Sequence, residues 1–220
     1  TILQMLKGIH DGTLRLHEIM DSLFDIAQID ARTLELEFEP IDVGKLIHEI
    51  SLGMSQSIKD RDQKLKIDLP PLPNIQADPN TLRKVFYHLI ANAIKFSTPN
   101  TVIEIGLTEE VDSQCISIKN TGEGIPHKDL HKVFDKFYRA GSGQTEGSGV
   151  GLTLAKELVL LHGGKIEIDS KQHEWTAVSV EFLKGSEHFK PEDFDQSIEQ
   201  EMEHIPIGVH KILVVEDNLE

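Results

Sequence analysis

Residues 88–97, HLIANAIKFS, are the first of four short fragments that decide how this chain folds. The others are NTGEGIP at 120–126, FDKFYR at 134–139 and GSGVGL at 147–152. The glycines of the second and fourth fragments allow tight turns and close approach to a flat ligand. Any one fragment is weak evidence, because glycine triplets are common. In this order, the four together indicate one phosphate-handling, nucleotide-binding pocket.

Residues 79–96 are predicted to form the helix that carries the first fragment. Asp78 and Pro79 favour a helix start, because aspartate caps free backbone amides and proline fits the first turn. Pro99 prevents the helix from continuing much further. The expected buried stripe consists of Leu82, Val85, Leu89, Ala93 and Phe96.

The polar face of this helix carries His88, Asn92 and Lys95. Side chains spaced by three or four residues lie on one face of a helix. An asparagine oxygen is a hard magnesium ligand that adds no negative charge beside a triphosphate. A lysine one turn further on neutralises phosphate oxygens. The plain alternative is a solvated polar face, which the other three fragments argue against.

Asn120 stands at the end of a predicted strand. Ile116, Ile118 and Asn120 alternate along the chain, so their side chains lie on the same side of the strand. Asn120 therefore continues a core-facing row to the point where a pocket opens between sheet and helix. Gly122 and Gly124 follow, and they allow the backbone to turn and approach a base.

The fragment at 147–152 leads from glycines into an amphipathic helix. Gly147, Gly149 and Gly151 precede this helix, and free amides at a helix N-terminus behind glycines form a phosphate cradle. A Rossmann fold would need a strand directly before the glycines. The residues before Gly147 have loop composition, so the Rossmann interpretation is rejected.

The four fragments together resemble the N, G1, F and G2 boxes of the histidine kinase ATP-binding domain. The resemblance covers roughly residues 1–184. It implies an α/β fold, in which a mixed β-sheet is covered by helices on one face as a two-layer sandwich, preceded by a long dimerisation helix. The expected strands are 34–38, 65–69, 102–107, 115–119, 165–169 and 177–183.

The resemblance also implies that ATP and Mg²⁺ bind here, and that the γ-phosphoryl group passes to a histidine. His88 and Lys95 then take catalytic positions, and Asn92 takes the position of the magnesium ligand. Asn120 replaces the family's usual aspartate, which accepts a hydrogen bond from the adenine amino group. The other nucleotide-binding positions, besides Asn92 and Lys95, are Gly122, Gly124, Ile125, Phe137, Tyr138, Arg139, Gly147, Gly149, Val150, Gly151, Leu152 and Thr176.

Further positions depart from the family's pattern. His88 replaces the asparagine of many relatives and the catalytic glutamate of the wider ATPase superfamily, which fits a kinase that avoids hydrolysing ATP. The last glycine box is degenerate, and Thr176 alone matches it. Phe134 and Phe137 are expected to anchor, by packing, the hinge of a lid within residues 127–146.

Residues 1–32 are predicted to form a long helix with an apolar seam. Packing in a dimeric four-helix bundle is favoured, and docking on the chain's own domain is the alternative. By resemblance this is the second dimerisation helix, so the phosphoacceptor histidine is expected upstream of this chain. His10, followed by Asp11, is the weaker internal candidate, because Arg15 replaces the family's proline. The seam consists of Ile2, Leu6, Ile9, Thr13, Leu16, Met20, Leu23 and Ala27.

The predicted domain organisation has four parts. Residues 1–32 are the truncated dimerisation segment, and 33–184 are the ATP-binding catalytic domain. Residues 185–208 have the composition of an acidic linker, and 209–220 resemble the first strand of a response-regulator receiver domain. The expected partners are therefore ATP, a second copy through the N-terminal helix of the parent protein, and a receiver domain that is possible in the same parent chain.

Composition limits the function classes. The formal net charge is −15, which argues against nucleic-acid binding. The single cysteine, Cys115, excludes an internal disulfide and suits a reducing compartment. No apolar run is long enough to span a bilayer, so a cytoplasmic location without membrane contact by this segment is expected, although the parent protein could be membrane-anchored.

Two alternatives to the kinase remain open. One is an ATPase of the same superfamily, of the DNA gyrase or MutL type, which a glutamate at position 88 would have supported. The other is a degenerate nucleotide-binding or dimerisation module without kinase activity, which Asn120 and the missing acceptor histidine would mark.

Overall fold

The computed structural model describes residues 2–139 and 148–185. Gly147, residues 186–208 of the predicted linker and the receiver-like segment lie outside the described residues, as does the tip of the predicted lid. The helices are α1 (Ile2–Asp30), α2 (Val43–Gly53), α3 (Ser55–Asp60), α4 (Pro79–Phe96) and α5 (Gly151–Leu161), with a 3-10 helix at His127–Lys132. The strands are β1 (Glu39–Ile41), β2 (Lys64–Asp68), β3 (Ile75–Ala77), β4 (Val102–Glu109), β5 (Ser113–Thr121), β6 (Lys165–Lys171) and β7 (Trp175–Leu183).

The main sheet has five strands in the order β2-β4-β5-β7-β6. The β2–β4 pair is parallel and the other pairs are antiparallel, which confirms the expected mixed sheet. The predicted strand at 34–38 is wrong, because these residues form no strand and β1 pairs with β3 in a separate small sheet. The Glu37 amide instead donates to the Asp78 carboxylate at 2.9 Å, so the cap of α4 satisfies it.

The core lies between one face of the main sheet and the helices α2, α4 and α5. Alternate residues of the strands face it, as with buried Ile103 and Ile105 on β4, whereas Glu104 between them is exposed. The expected two-layer arrangement is confirmed. The buried apolar residues of the main sheet are Ile103, Ile105, Leu107, Ile116, Ile118, Val178, Val180 and Phe182.

Helix α4 begins and ends close to where the sequence predicts. The Asp78 side chain accepts a hydrogen bond of 2.8 Å from the Thr81 amide, and Pro79 occupies the first turn. Four residues of the expected stripe are buried, but Phe96 is 41% exposed, so its inclusion was wrong. The helix ends there, and the following residue, Ser97, is buried instead.

Helix α1 docks on the chain's own domain along its C-terminal part, which is the alternative predicted for it, whereas packing in a dimeric bundle stays a prediction. Its C-terminal part docks on the domain, where Ile26 is 6% exposed and the Asp25 carboxylate pairs with Lys84 of α4 at 2.7 Å. Further towards the N-terminus, its apolar side chains are exposed in the single chain. These are Met5, Leu6, Ile9, Leu16 and Met20.

Candidate functional site

A row of three polar residues crosses the end of the sheet. Asn120 of β5 lies opposite Thr176 of β7, and Thr176 lies opposite Ser170 of β6. Residues directly opposite in an antiparallel ladder have side chains on the same face. Asn120 is 6% exposed, and no described residue hydrogen-bonds to its side-chain amide. Among the described residues, the amide thus keeps its hydrogen-bonding capacity for a ligand.

The first glycine loop passes so close to its neighbours that side chains are excluded. A Cβ on Gly122 would collide with the backbone oxygen of Phe96, at the end of α4. Gly124 has a φ of +62°, and a Cβ there would lie 2.8 Å from the Cα of Gln172. The Ile125 amide is fixed by a 2.8 Å hydrogen bond to the Ser170 hydroxyl. The glycines thus hold the loop between α4 and the β6–β7 turn.

The second glycine loop meets α4 at His88. A Cβ on Gly151 would lie 3.1 Å from Nδ1 of His88, and Gly149 has a φ of +71°. The sequence-predicted residues of the first and fourth fragments therefore adjoin one another. Val150 is buried and Leu152 half-buried, so both contribute packing below the loop.

The N-terminus of α5 differs from the N-termini of α2 and α4. Helices α2 and α4 are capped by the carboxylates of Asp42 and Asp78, whereas α5 has no side-chain cap at Val150. The first amides of an α-helix have no partner within the helix, and their partial positive charge attracts anions. The uncapped start of α5 behind the glycines can therefore bind phosphate oxygens.

His88 is held in its neutral form. Burial lowers its pKa, with the Lys84 ammonium acting in the same direction and the Asp25 carboxylate opposing them. Its ring also packs edge-on against Tyr87, with centroids 5.8 Å apart. At neutral pH His88 thus presents an uncharged imidazole to the second glycine loop, with one ring nitrogen that can accept a hydrogen bond.

Asn92 and Lys95 lie one and two turns beyond His88 on α4. Both side chains are half-buried, and Nζ of Lys95 lies 4.6 Å from the centroid of the Phe96 ring. Among the described residues, no cluster of three or more His, Cys, Asp or Glu side chains could hold a metal ion. A magnesium ion held by one asparagine, phosphate oxygens and water would require none, so the donor set fits that mode of binding.

The predicted hinge is built differently from the expectation. Phe137 is 62% exposed and does not anchor it by core packing. Its backbone does so instead: φ is +65°, and its amide donates to the Gly149 oxygen at 3.0 Å. Phe134 is half-buried beside the Lys156 ammonium, and Val133, which no sequence motif marks, is 7% exposed. Tyr138 is half-buried and Arg139 exposed at the edge of the described residues.

No motif in the sequence marks Ser170 or His162. Ser170 belongs to the polar row described above, and its inward position followed from the alternation of Ile166 and Ile168. His162 is 1% exposed at the end of α5, and its Nε2 accepts a hydrogen bond from the Asp78 amide. No local motif marks it, because its partner is 84 residues away.

Comparisons with known proteins agree with this geometry. The family model described as histidine kinase-, DNA gyrase B-, and HSP90-like ATPase matches residues 77–186, half of the chain. All four fragments lie within this range.

Two relatives extend the similarity beyond this range. The chain is 31% identical over 173 residues to the circadian input-output histidine kinase CikA of Synechococcus elongatus, covering 76% of this chain and 23% of the relative. It is 33% identical over 184 residues to the sensor protein VanS of Enterococcus faecium, covering 81% and 47%. The chain thus spans less than half the length of these relatives.

A histidine kinase structure, AdeS of Acinetobacter baumannii, superposes with a TM-score of 0.69 at 17% identity, covering 82% of this chain and 84% of that one. At this identity the likeness supports the fold alone. Within the described residues, no helix is both long and apolar enough to cross a membrane.

Proposed function

Because the chain belongs to the family of histidine kinase-, DNA gyrase B- and HSP90-like ATPases, we propose that it binds Mg·ATP and transfers the γ-phosphoryl group to a histidine. It would thereby serve as the catalytic part of a sensor histidine kinase. The observation that carries this proposal is the uncapped N-terminus of α5, which meets the polar face of α4 at His88. Asn120 lies at the end of the sheet, two residues before Gly122, which contacts the C-terminal end of the same helix α4.

The base would enter between the first glycine loop and the sheet end. Asn120 supplies a side-chain amide there, and Gly122 and Gly124 allow the loop beside it to pack directly against α4 and the β6–β7 turn. Ile125 and Thr176 adjoin the same region through Ser170. Phe137, Tyr138 and Arg139 lead towards the proposed lid.

The triphosphate would extend from there towards α5. The amides at Gly149, Val150, Gly151 and Leu152 would face the developing negative charge, and Lys95 adds a positive charge from α4. The loose transition state of phosphoryl transfer depends on such positioning and neutralisation. In the reaction the γ-phosphorus exchanges its bond to the bridging oxygen for a bond to the acceptor nitrogen, ADP leaves, and the acceptor imidazole loses a proton.

Asn92 would hold the magnesium ion through its amide oxygen. The ion, when bound, supplies charge neutralisation of the phosphate oxygens. His88 replaces the carboxylate base of the gyrase-type ATPases, which favours a kinase, and its neutral imidazole stays a candidate base.

The proposal also covers the acceptor histidine and the protein partners. The exposed apolar residues of α1 fit a helix bundle with a second copy, and the acceptor histidine would lie on the preceding helix of that bundle. A receiver domain would take the phosphoryl group next. We expect a cytoplasmic location for this segment, where ATP is abundant.

Phosphoryl transfer can be tested on the parent protein with radiolabelled ATP. We expect a protein-bound phosphate that is labile in acid and stable in base, as phosphohistidine is, and that disappears in the Asn92→Ala variant. Mg·ATP binding without any such label in the parent protein would instead support the degenerate nucleotide-binding module.

A further inference from the structure

We propose that Ser170 is a positioning residue for purine selection, because it fixes the Thr176 hydroxyl as a hydrogen-bond acceptor beside Asn120. This role rests on the proposed function, since it requires that a purine base occupies the pocket at the sheet end. Ser170 itself would touch no part of the nucleotide.

The direction of the protons follows from the partners of Ser170. Its hydroxyl oxygen accepts the Ile125 amide proton at 2.8 Å and lies 2.7 Å from the carbonyl oxygen of Trp175. A carbonyl oxygen can only accept, so the single hydroxyl proton of Ser170 is used there. The hydroxyls of Ser170 and Thr176 are 2.8 Å apart. The proton between them must therefore come from Thr176.

Thr176 then has lone pairs alone to offer to its other neighbours. On β7 it lies directly opposite Asn120, on the same face of the sheet. A ligand group, or a water, that approaches between these two residues must bring a proton to Thr176. The 6-amino group of adenine can donate there, whereas the 6-oxygen of guanine meets a second acceptor.

This fixed acceptor matters because residue 120 is an asparagine. A carboxylate only accepts, but an amide offers an oxygen on one side and an amino group on the other, and it can turn to pair with either purine. Asn120 has no hydrogen-bonded partner among the described residues that would fix its orientation. Discrimination between adenine and guanine therefore depends on Thr176, and through it on Ser170.

The test compares the affinities of the chain for Mg·ATP and Mg·GTP by calorimetry. We expect Ser170→Ala to lower the preference for ATP over GTP by about fivefold or more, the worth of one neutral hydrogen bond. Without Ser170 as its acceptor, the Thr176 hydroxyl can donate its proton to the 6-oxygen of guanine. Ser170→Thr retains the hydroxyl and is expected to retain the preference, and Thr176→Val, which removes the acceptor, is expected to lose it.

A second background separates positioning from a general structural effect. In the Asn120→Asp variant, the carboxylate only accepts hydrogen bonds and therefore selects the 6-amino group of adenine by itself. Adding Ser170→Ala to this variant should leave the ratio of the ATP and GTP affinities almost unchanged. If Ser170→Ala weakens both nucleotides equally in the unaltered background, Ser170 merely supports the first glycine loop and its proposed role is refuted. If the unaltered chain binds neither nucleotide, the proposed function itself fails, and the role of Ser170 with it.

Discussion

Nε2 of His162, at the end of α5, accepts a 3.1 Å hydrogen bond from the backbone amide of Asp78, the residue that caps α4. Nδ1 of the same ring lies 2.7 Å from the Leu158 carbonyl oxygen and must carry the proton. The ring is therefore neutral, and burial lowers its pKa although the Leu158 bond and the Asp78 carboxylate favour the charged form. Both helices that frame the pocket are thus joined by one uncharged histidine.

This arrangement makes stability depend on pH. An unfolded histidine titrates near pH 6.5, whereas His162 in the folded chain binds its proton only at lower pH. Between those values the unfolded state holds more protons, so stability is full above about pH 6.5 and is lost as the pH falls. We expect urea unfolding at pH 7.5 and 5.5 to show this loss, by up to ~1.4 kcal/mol per pH unit for each such group.

His162→Asn should lower stability at pH 7.5 and also flatten the pH profile. His88 has a lowered pKa as well, so the same loss should remain in part. A His162→Asn profile as steep as that of the unaltered chain would contradict the neutral buried ring.

The Asp25–Lys84 pair should respond asymmetrically to mutation. The Asp25 side chain is 10% exposed and that of Lys84 is 43% exposed. Lys84→Met strands a nearly buried carboxylate, whereas Asp25→Asn releases a lysine that can reach water. We expect Lys84→Met to cost about 2 kcal/mol of unfolding free energy, less than a fully buried pair would, and Asp25→Asn to cost about half of that.

The exposed Asp30–Lys136 pair is the matched control, with side chains 60% and 41% exposed. Lys136→Met should change the unfolding free energy by less than ~1 kcal/mol. Equal effects of Lys84→Met and Lys136→Met in denaturant titrations would show that burial at Asp25 has no consequence.

Gly151 and His88 should be coupled in nucleotide binding. A methyl group at residue 151 would lie 3.1 Å from the His88 ring, so one of them must move. We expect Gly151→Ala to weaken Mg·ATP binding about tenfold, on the scale of ~1.4 kcal/mol. His88→Ala removes the obstructing ring, and the double variant should recover most of the affinity that His88→Ala alone retains. Additive losses in the double-mutant cycle would argue against this contact.

Asn120→Asp tests the base contact. A charge-assisted hydrogen bond exceeds a neutral one by about 1 kcal/mol, so the carboxylate should strengthen Mg·ATP binding several-fold. The change adds no bulk, and the reference variant Asn120→Ala should weaken binding. The same affinity in the unaltered chain and in the Asn120→Asp variant would place the base elsewhere.

Several elements of the fold and of the site can be predicted from local sequence patterns. The start of α4 was predictable because Asp78 and Pro79 act within one turn, and the inward position of Asn120 follows from strand alternation alone. The segment 34–38 was wrongly predicted to be a strand, because its alternating apolar residues are typical of one. In the structure, the backbone amide of Glu37 donates instead to the Asp78 carboxylate that caps α4. Alternation of apolar and polar residues indicates which side of a strand a residue would face, but not whether a neighbouring strand pairs with it.

Long-range features of the site were beyond such patterns. The row of Ser170, Thr176 and Asn120 depends on the register of three strands. Phe137 was expected to pack because of its apolar ring, but the hinge is held by its backbone, which a residue type does not reveal. His162 accepts a hydrogen bond from Asp78, which lies 84 residues away in the chain.

The most direct test of the central claim is the affinity of this chain for Mg·ATP by calorimetry, with Asn92→Ala measured in parallel. We expect a single site in the micromolar to millimolar range, weakened at least tenfold in Asn92→Ala or when EDTA removes magnesium, on the scale of ~1.4 kcal/mol. No binding by the folded chain, or equal binding by both chains, would contradict a magnesium-dependent nucleotide pocket between α4, α5 and the end of the sheet.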